Sequence, residues 1–377
     1  MSERNSWSIN DFRHRSKTDL YGSTGEKRRS NWGLKFMGML VVFWILSNAI
    51  TPWTGVYSWR HAFPELGFRL EDSTYQCADA IVIGSSTTLH HIVPSLLDSS
   101  TTHSWYNFGF QSATPPESFF IAHELINTAK QTQIKTLVFE VLPSEWPNAA
   151  AYGSTRIEAQ LNGLEVIRRI RNLPWAREEM HDANWEQCKL LFNGGLHHMT
   201  GFLRKLYDKP NPSDPFNGES SRGFLPLQKD DWKSGRLKDA RLHWMNGSDS
   251  LMAHQILIAK DFDFRWTLSD PTVNWDCDGL VDPIVRQMEA LKLQCESNGI
   301  ECIFLFQKLW GSNGCVYFEA HERWGDAHII QKMGYAGNED LFNPDERYDE
   351  NHFLGAGARR FTQSVGKDFI RILHPLE

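Results

Sequence analysis

The chain has 377 residues, 41% hydrophobic and 23% charged, enough for one large domain or two smaller ones. Its formal charge of −7 conceals a basic start: residues 1–35 hold eight Lys and Arg against four acids, which leaves the remainder at −11. An acidic body lacks the basic footprint of a nucleic-acid-binding protein and excludes that class.

Residues 1–33 are basic and show no apolar periodicity, as expected of a disordered cytoplasmic tail. Residues 34–56 follow as a candidate transmembrane signal-anchor, because the run from Phe36 to Val56 carries no charge. At about 1.5 Å per helical residue, roughly 20 residues cross a bilayer's hydrocarbon layer. Lys27, Arg28, Arg29 and Lys35 precede the run, which places the N-terminus in the cytoplasm by the positive-inside bias. Trp53 near its end, with Tyr57 and Trp59 just after, sits as an interfacial belt would. Ser47-Asn48-Ala49 also has the small-x-small form of a signal-peptide cleavage site, although the leader is long for one. Both readings export residues 57–377.

In the exported part, Asp79–Ile83 reads as a buried strand ending at Gly84, and Trp105–Phe108 as another ending at Gly109. Pro115-Pro116-Glu117 opens a helix with Phe119, Ala122, Leu125, Ile126 and Ala129 on one face. Ile134–Leu142 is a strand closed by Pro143. Between about residues 150 and 275 the pattern weakens: 157–170 and 185–206 look helical, and 208–230 is rich in Pro, Gly, Ser and Asp. This stretch reads as an irregular and helical insertion within one domain. A helix over 283–297, with Val285, Met288, Leu291 and Leu293, leads into the strand Ile300–Phe306. A last helix carries Ala358, Phe361, Val365, Phe369 and Ile372. Strands alternating with helices predict an α/β fold, a three-layer α/β/α sandwich around a mainly parallel sheet.

Chemistry concentrates at two places. Gly84-Ser85-Ser86 lies where a buried strand meets a helix expected from Thr87 to Leu97, so unpaired N–H groups and a partial positive charge face an attacked acyl group. The bland reading is that Ser85 or Ser86 only caps that helix. Near the C-terminus, Asp349 and His352 stand three apart on a loop entering the last helix. There the His can take a Ser proton while the Asp holds its tautomer.

These two blocks resemble those of the SGNH/GDSL hydrolase superfamily. Gly84-Ser85-Ser86 matches the first block with Ser86 as nucleophile and a Ser in place of the usual Asp. Asp349 and His352, followed by a Gly-Ala helix start, match the last. Asn107-Phe108-Gly109 fits the second block, and the resemblance implies that the N–H groups of Ser86 and Gly109 form an oxyanion hole. The third block's Asn has no counterpart after Leu142, where Ser144 and Asn148 are the polar residues at hand. The likeness covers residues 79–142 and 283–375. It implies a catalytic set of Ser86, Asp349 and His352, no cofactor and no metal.

With its N-terminal anchor, the chain is similar to the membrane-anchored accessory proteins of alginate and cellulose O-acetylation and of teichoic-acid D-alanylation. The resemblance then implies residence in a bacterial inner membrane with a periplasmic domain, an acyl donor and a polysaccharide acceptor. It also implies a multi-spanning membrane acyltransferase as partner. Transfer through an acyl-Ser86 intermediate, hydrolysis as an esterase or deacetylase, and a non-catalytic scaffold or glycan-binding role all remain open at this point.

Other groups carry less. The adjacent pairs His90-His91 and His197-His198 point about 100° apart on a helix, which suits surface or core positions better than a metal site. Asp276 and Asp278 flank Cys277 and read as a solvated loop. Asn246-Gly247-Ser248 has the glycosylation-acceptor form and reads as a polar turn. Six Cys (77, 188, 277, 295, 302, 315) form no CxxC pair, which argues against a metal cluster and allows a disulfide in an oxidising compartment.

Overall fold

Five short apolar runs become five parallel strands: β1 Ala80–Gly84, β2 Trp105–Gly109, β3 Thr136–Glu140, β4 Glu301–Phe306 and β5 Ile329–Gln331. They lie in the order β2-β1-β3-β4-β5. The structure is a computed structural model. It describes residues 72–111, 117–128, 133–142, 221–228, 237–268, 281–307 and 313–373, with Arg69, Ala113 and six positions within 35–46 besides. The tail, most of the expected anchor, the candidate helices at 157–170 and 185–206, His197-His198, Ser144, Asn148 and Asp276–Asp278 lie outside the described residues. Among the described residues no helix is long and apolar enough to cross a membrane.

Side-chain alternation along the strands sends successive residues to opposite faces. Ile81, Ile83, Phe108, Phe139 and Phe304 face one layer of helices: α3 Glu117–Thr128, α5 Val281–Ser297 and α6 Asn313–Trp324. Ala80, Val82, Val138, Ile303 and Leu305 face the other, where α7 Gly355–Leu373 presents Ala358, Phe361, Val365 and Phe369. The strands are therefore buried on both sides, which is why they read as continuous apolar runs. In α5 the expected stripe is corrected at one position. Val285, Met288 and Leu291 are buried, but Leu293, two residues on from Leu291, falls off the stripe and is 58% exposed.

Further differences from the sequence reading have local causes. The helix expected from Thr87 to Leu97 is two, α1 Ser86–His91 and α2 Pro94–Ser100, because Pro94 starts a new helix after Ile92 and Val93 extend. Asn246-Gly247-Ser248 is no turn. It lies inside α4, Leu237–Trp266, where Gly247 (φ −145°) kinks the helix. That 30-residue helix escaped the sequence reading because apolar residues are scattered around it. Trp244, Met252, Ala259 and Phe262 are buried while Leu257 and Phe264 are exposed. β5, three residues long, and α6 also went unread. Cys315 is disulfide-bonded, whereas Cys77, Cys295 and Cys302 are free.

Sheet order decides where ligands can approach. The chain steps from β1 outward to β2, then back across β1 to β3. In open parallel sheets such a reversal leaves a crevice at the carboxyl ends of the strands. The crevice here lies beside the end of β1, at Gly84. Directly across in register is Gly109, where a Cβ would come within 2.2 Å of the Leu89 backbone nitrogen. Gly109 thus lets α1 settle on the end of β2. Gly109→Ala should destabilise the fold by about 1–3 kcal/mol through overpacking, measurable as a lower urea midpoint with an unchanged slope.

Candidate active site

The turn from β1 into α1 sorts its two serines. Ser85 is the N-cap: its Oγ accepts the Thr87 N–H at 3.1 Å. Ser86, the first helical residue, is half-buried, and its N–H has no intrahelical partner. Its hydroxyl is left for another role, and it lies 2.9 Å from Nε2 of His352.

His352 and Asp349 reach this point from the loop before α7. Asp349 Oδ1 accepts the N–H groups of Asn351 and His352 at 2.6 and 2.8 Å, a tight turn that folds the loop onto its own carboxylate. The imidazole Nδ1 then lies 3.0 and 2.9 Å from the two carboxylate oxygens. A carboxylate can only accept, so Nδ1 carries the proton and Nε2 is free to accept from Ser86. Burial pushes the Asp349 carboxyl upward. The hydrogen bond and charge of His352, with the two N–H groups, outweigh that and leave it below its ordinary range. Residues 266 positions apart in the chain thus form one line: Asp349, His352, Ser86. This is the geometry in which an imidazole can take a hydroxyl proton while a carboxylate steadies the resulting cation.

Neighbouring elements hold the loop. Arg241 Nη1 of α4 donates to the carbonyls of Arg347 and Tyr348 at 2.9 and 2.8 Å. Gln255 donates to the Glu350 carbonyl at 3.0 Å. Arg347 itself is buried over the Phe353 ring, and desolvation lowers its pKa to about 10. The weakly patterned region of the sequence therefore supplies the clamp on the Asp-His loop.

Gly109 has a partner inside the protein. Its N–H donates to the side-chain oxygen of Asn107 at 2.7 Å, so it is not free to hold an oxyanion. The Asn107 amide in turn donates to the carbonyls of Thr88 and Ile92, both at 2.8 Å, tying α1 to β2. In this arrangement the Gly109 N–H is turned to Asn107, and Gly109 also allows α1 to pack closely on β2.

The residues missed by sequence reasoning are His90 and His91, both buried beside the line. Their rings lie 5.4 and 6.3 Å from that of His352. His90 Nδ1 faces the Leu225 carbonyl at 2.7 Å, and Nε2 lies 2.9 Å from the Gln111 amide. Burial lowers its pKa from 6.5 to about 4, against the raising effect of the Leu225 carbonyl. His91, fully enclosed, is pushed well below 6.5 by burial and then by His352 and Arg347. Among the described residues no group of three or more His, Cys, Asp and Glu is placed to hold a metal ion. Their adjacency to a strand-end serine was the only signal in the sequence.

A cavity of about 340 Å³ adjoins the site, lined by Thr87, His91, Gln307, Asn351 and Phe353 together with apolar residues of α4. Neither Ser86 nor His352 lines it. No family model, curated protein or solved structure matches the chain.

The buried histidines set a pH dependence. In the unfolded chain they protonate near pH 6.5, while folded His90 stays neutral to about pH 4 and His91 is likewise held down. The unfolded state then binds more protons, so stability present above pH 6.5 is lost as pH falls, by up to ~1.4 kcal/mol per pH unit for each histidine. Urea unfolding across that window should show this slope, and His90→Asn should flatten it.

Proposed function

We propose that the protein is a membrane-anchored, serine-dependent acyl-handling enzyme of SGNH-hydrolase type, acting as an O-acyltransferase on a cell-envelope or secreted polysaccharide. The observation that carries this reading is the continuous line from Asp349 through His352 to Ser86. His352 takes the Ser86 proton as Oγ attacks an acyl carbonyl, and Asp349 stabilises the imidazolium. The Ser86 N–H at the start of α1 faces the developing oxyanion. Collapse expels the donor's leaving group, which takes the proton from His352. A sugar hydroxyl then gives its proton to His352 as its oxygen attacks the acyl-Ser86 carbonyl; the bond to Ser86 Oγ breaks, and that oxygen takes the proton back from His352.

The parallel sheet and the reversal at β1 support a three-layer α/β/α hydrolase architecture. The disulfide at Cys315 favours an oxidising compartment, in keeping with an uncleaved anchor in residues 34–56 and a domain in the periplasm. A multi-spanning membrane acyltransferase is the partner that would deliver the acyl group. The same first half-reaction serves an esterase or deacetylase, with water as acceptor.

A second reading, a non-catalytic scaffold, is favoured by one observation: the Gly109 N–H is committed to Asn107, which thins the oxyanion hole. Incubation with a fluorophosphonate probe separates these readings. The enzyme reading expects stoichiometric labelling of the wild type, none in Ser86→Ala, and about 10²–10⁴-fold slower labelling in His352→Ala and Asp349→Asn. A folded wild-type protein that does not label sinks the enzyme reading in favour of the scaffold.

A further inference from the structure

The turn that carries Ser86 and the loop that carries His352 are joined by a second route, away from the reacting atoms. The Phe353 N–H, next to His352, lies 3.1 Å from Nε2 of His91. A backbone N–H can only donate, so Nε2 of His91 is the acceptor and its proton sits on Nδ1. That proton faces Gln307 Oε1 at 3.1 Å. The Gln307 amide nitrogen consequently points the other way, to Thr88 Oγ1 at 3.2 Å. Thr88 accepts there and donates its own hydrogen to Glu140 Oε2 at 2.7 Å.

The chain ends at Glu140, 1% exposed at the carboxyl end of β3. Its carboxylate also accepts the Ser85 N–H at 2.7 Å and the Ser85 hydroxyl at 3.1 Å, and it bonds the Thr87 hydroxyl. The residues on both sides of Ser86 are thereby fixed to one buried group. Every link has a single permitted direction, set at one end by a backbone donor and at the other by a carboxylate that accepts from four donors. The lowered pKa of His91 keeps it in the neutral form this route requires.

We infer that the hydrogen-bond chain Phe353–His91–Gln307–Thr88–Glu140 is the device that sets Ser86 against His352, with His91, Gln307, Thr88 and Glu140 as positioning residues. The inference deepens the reading of Ser86 as nucleophile and rests on it. A misplacement on the order of 1 Å costs up to about a hundredfold in rate, so a chain that fixes both partners matters even though it touches no substrate.

The test cuts the chain at its least buried link, in the full-length protein. Gln307→Met keeps the bulk and removes both hydrogen bonds. Thr88→Val removes the hydroxyl's bonds to both Gln307 and Glu140, and Thr88→Ser keeps the hydroxyl. Crystal structures should show the Ser86 Oγ to His352 Nε2 distance lengthened beyond hydrogen-bond reach in Gln307→Met and Thr88→Val, and retained in Thr88→Ser. With the fluorophosphonate probe, the two broken variants should lose roughly tenfold or more in maximal labelling rate at unchanged probe affinity, and Thr88→Ser should restore the rate.

An unchanged distance and rate in a folded Gln307→Met or Thr88→Val protein overturns the inference. So does a loss confined to probe affinity, or a Thr88→Ser protein as slow as Thr88→Val. Should Gln307→Met fail to fold, the Thr88 pair decides. A wild type that does not label refutes the enzyme reading alone, because the crystallographic distances still decide whether the chain positions Ser86.

Discussion

The site depends on β1 lying between β2 and β3 in a parallel sheet. That pairing stacks the carboxyl ends of three strands, Gly84, Gly109 and Glu140, at one point. Gly109 lets α1 sit down on β2, and Glu140 reaches under the turn from the other side. Gly84 is equally constrained, since a Cβ there would run into the Glu140 carboxylate and the Thr88 hydroxyl. The serine turn is a product of strand order before it is a motif.

Around it, burial does two kinds of chemical work. It desolvates His90 and His91 so that they stay neutral and serve as fixed donors and acceptors. Asp349, by contrast, gains enough hydrogen bonds to remain an anion in a buried place. His352 and the two imidazoles beside it, His90 at 5.4 Å and His91 at 6.3 Å, all carry their proton on Nδ1, each because an obligate acceptor or donor faces one ring nitrogen. Only His352 has its Nε2 opposite a serine hydroxyl.

The large excursion between β3 and β4 is part of this arrangement. Residues 141–300 separate two strands that pair directly, from Thr136 opposite Glu301 to Glu140 opposite Leu305. Out of that excursion α4 returns to hold the carbonyls of Arg347, Tyr348 and Glu350. It fixes the backbone of the Asp-His loop from outside, while the Glu140 chain fixes it from within.

The α/β class was legible because strands buried on both faces must be continuously apolar, and four of the five described strands are long enough to show it. Ser86, Asp349 and His352 were legible because each sits at a junction, strand to helix or loop to helix, that residue types mark locally. Gly109 was legible as a glycine but not in its role, since only the packed structure shows whether its N–H is already taken. Glu140 ended an apolar strand like any boundary residue, and His90 and His91 looked like an ordinary adjacent pair. What these groups do follows from which strands are neighbours and which atoms face them across hundreds of residues. Local patterning marked most of the strands and the candidate Ser, Asp and His of this protein. Tertiary structure alone decided their hydrogen-bond partners, because a donor's direction is fixed by the atom opposite it and not by its place in the chain.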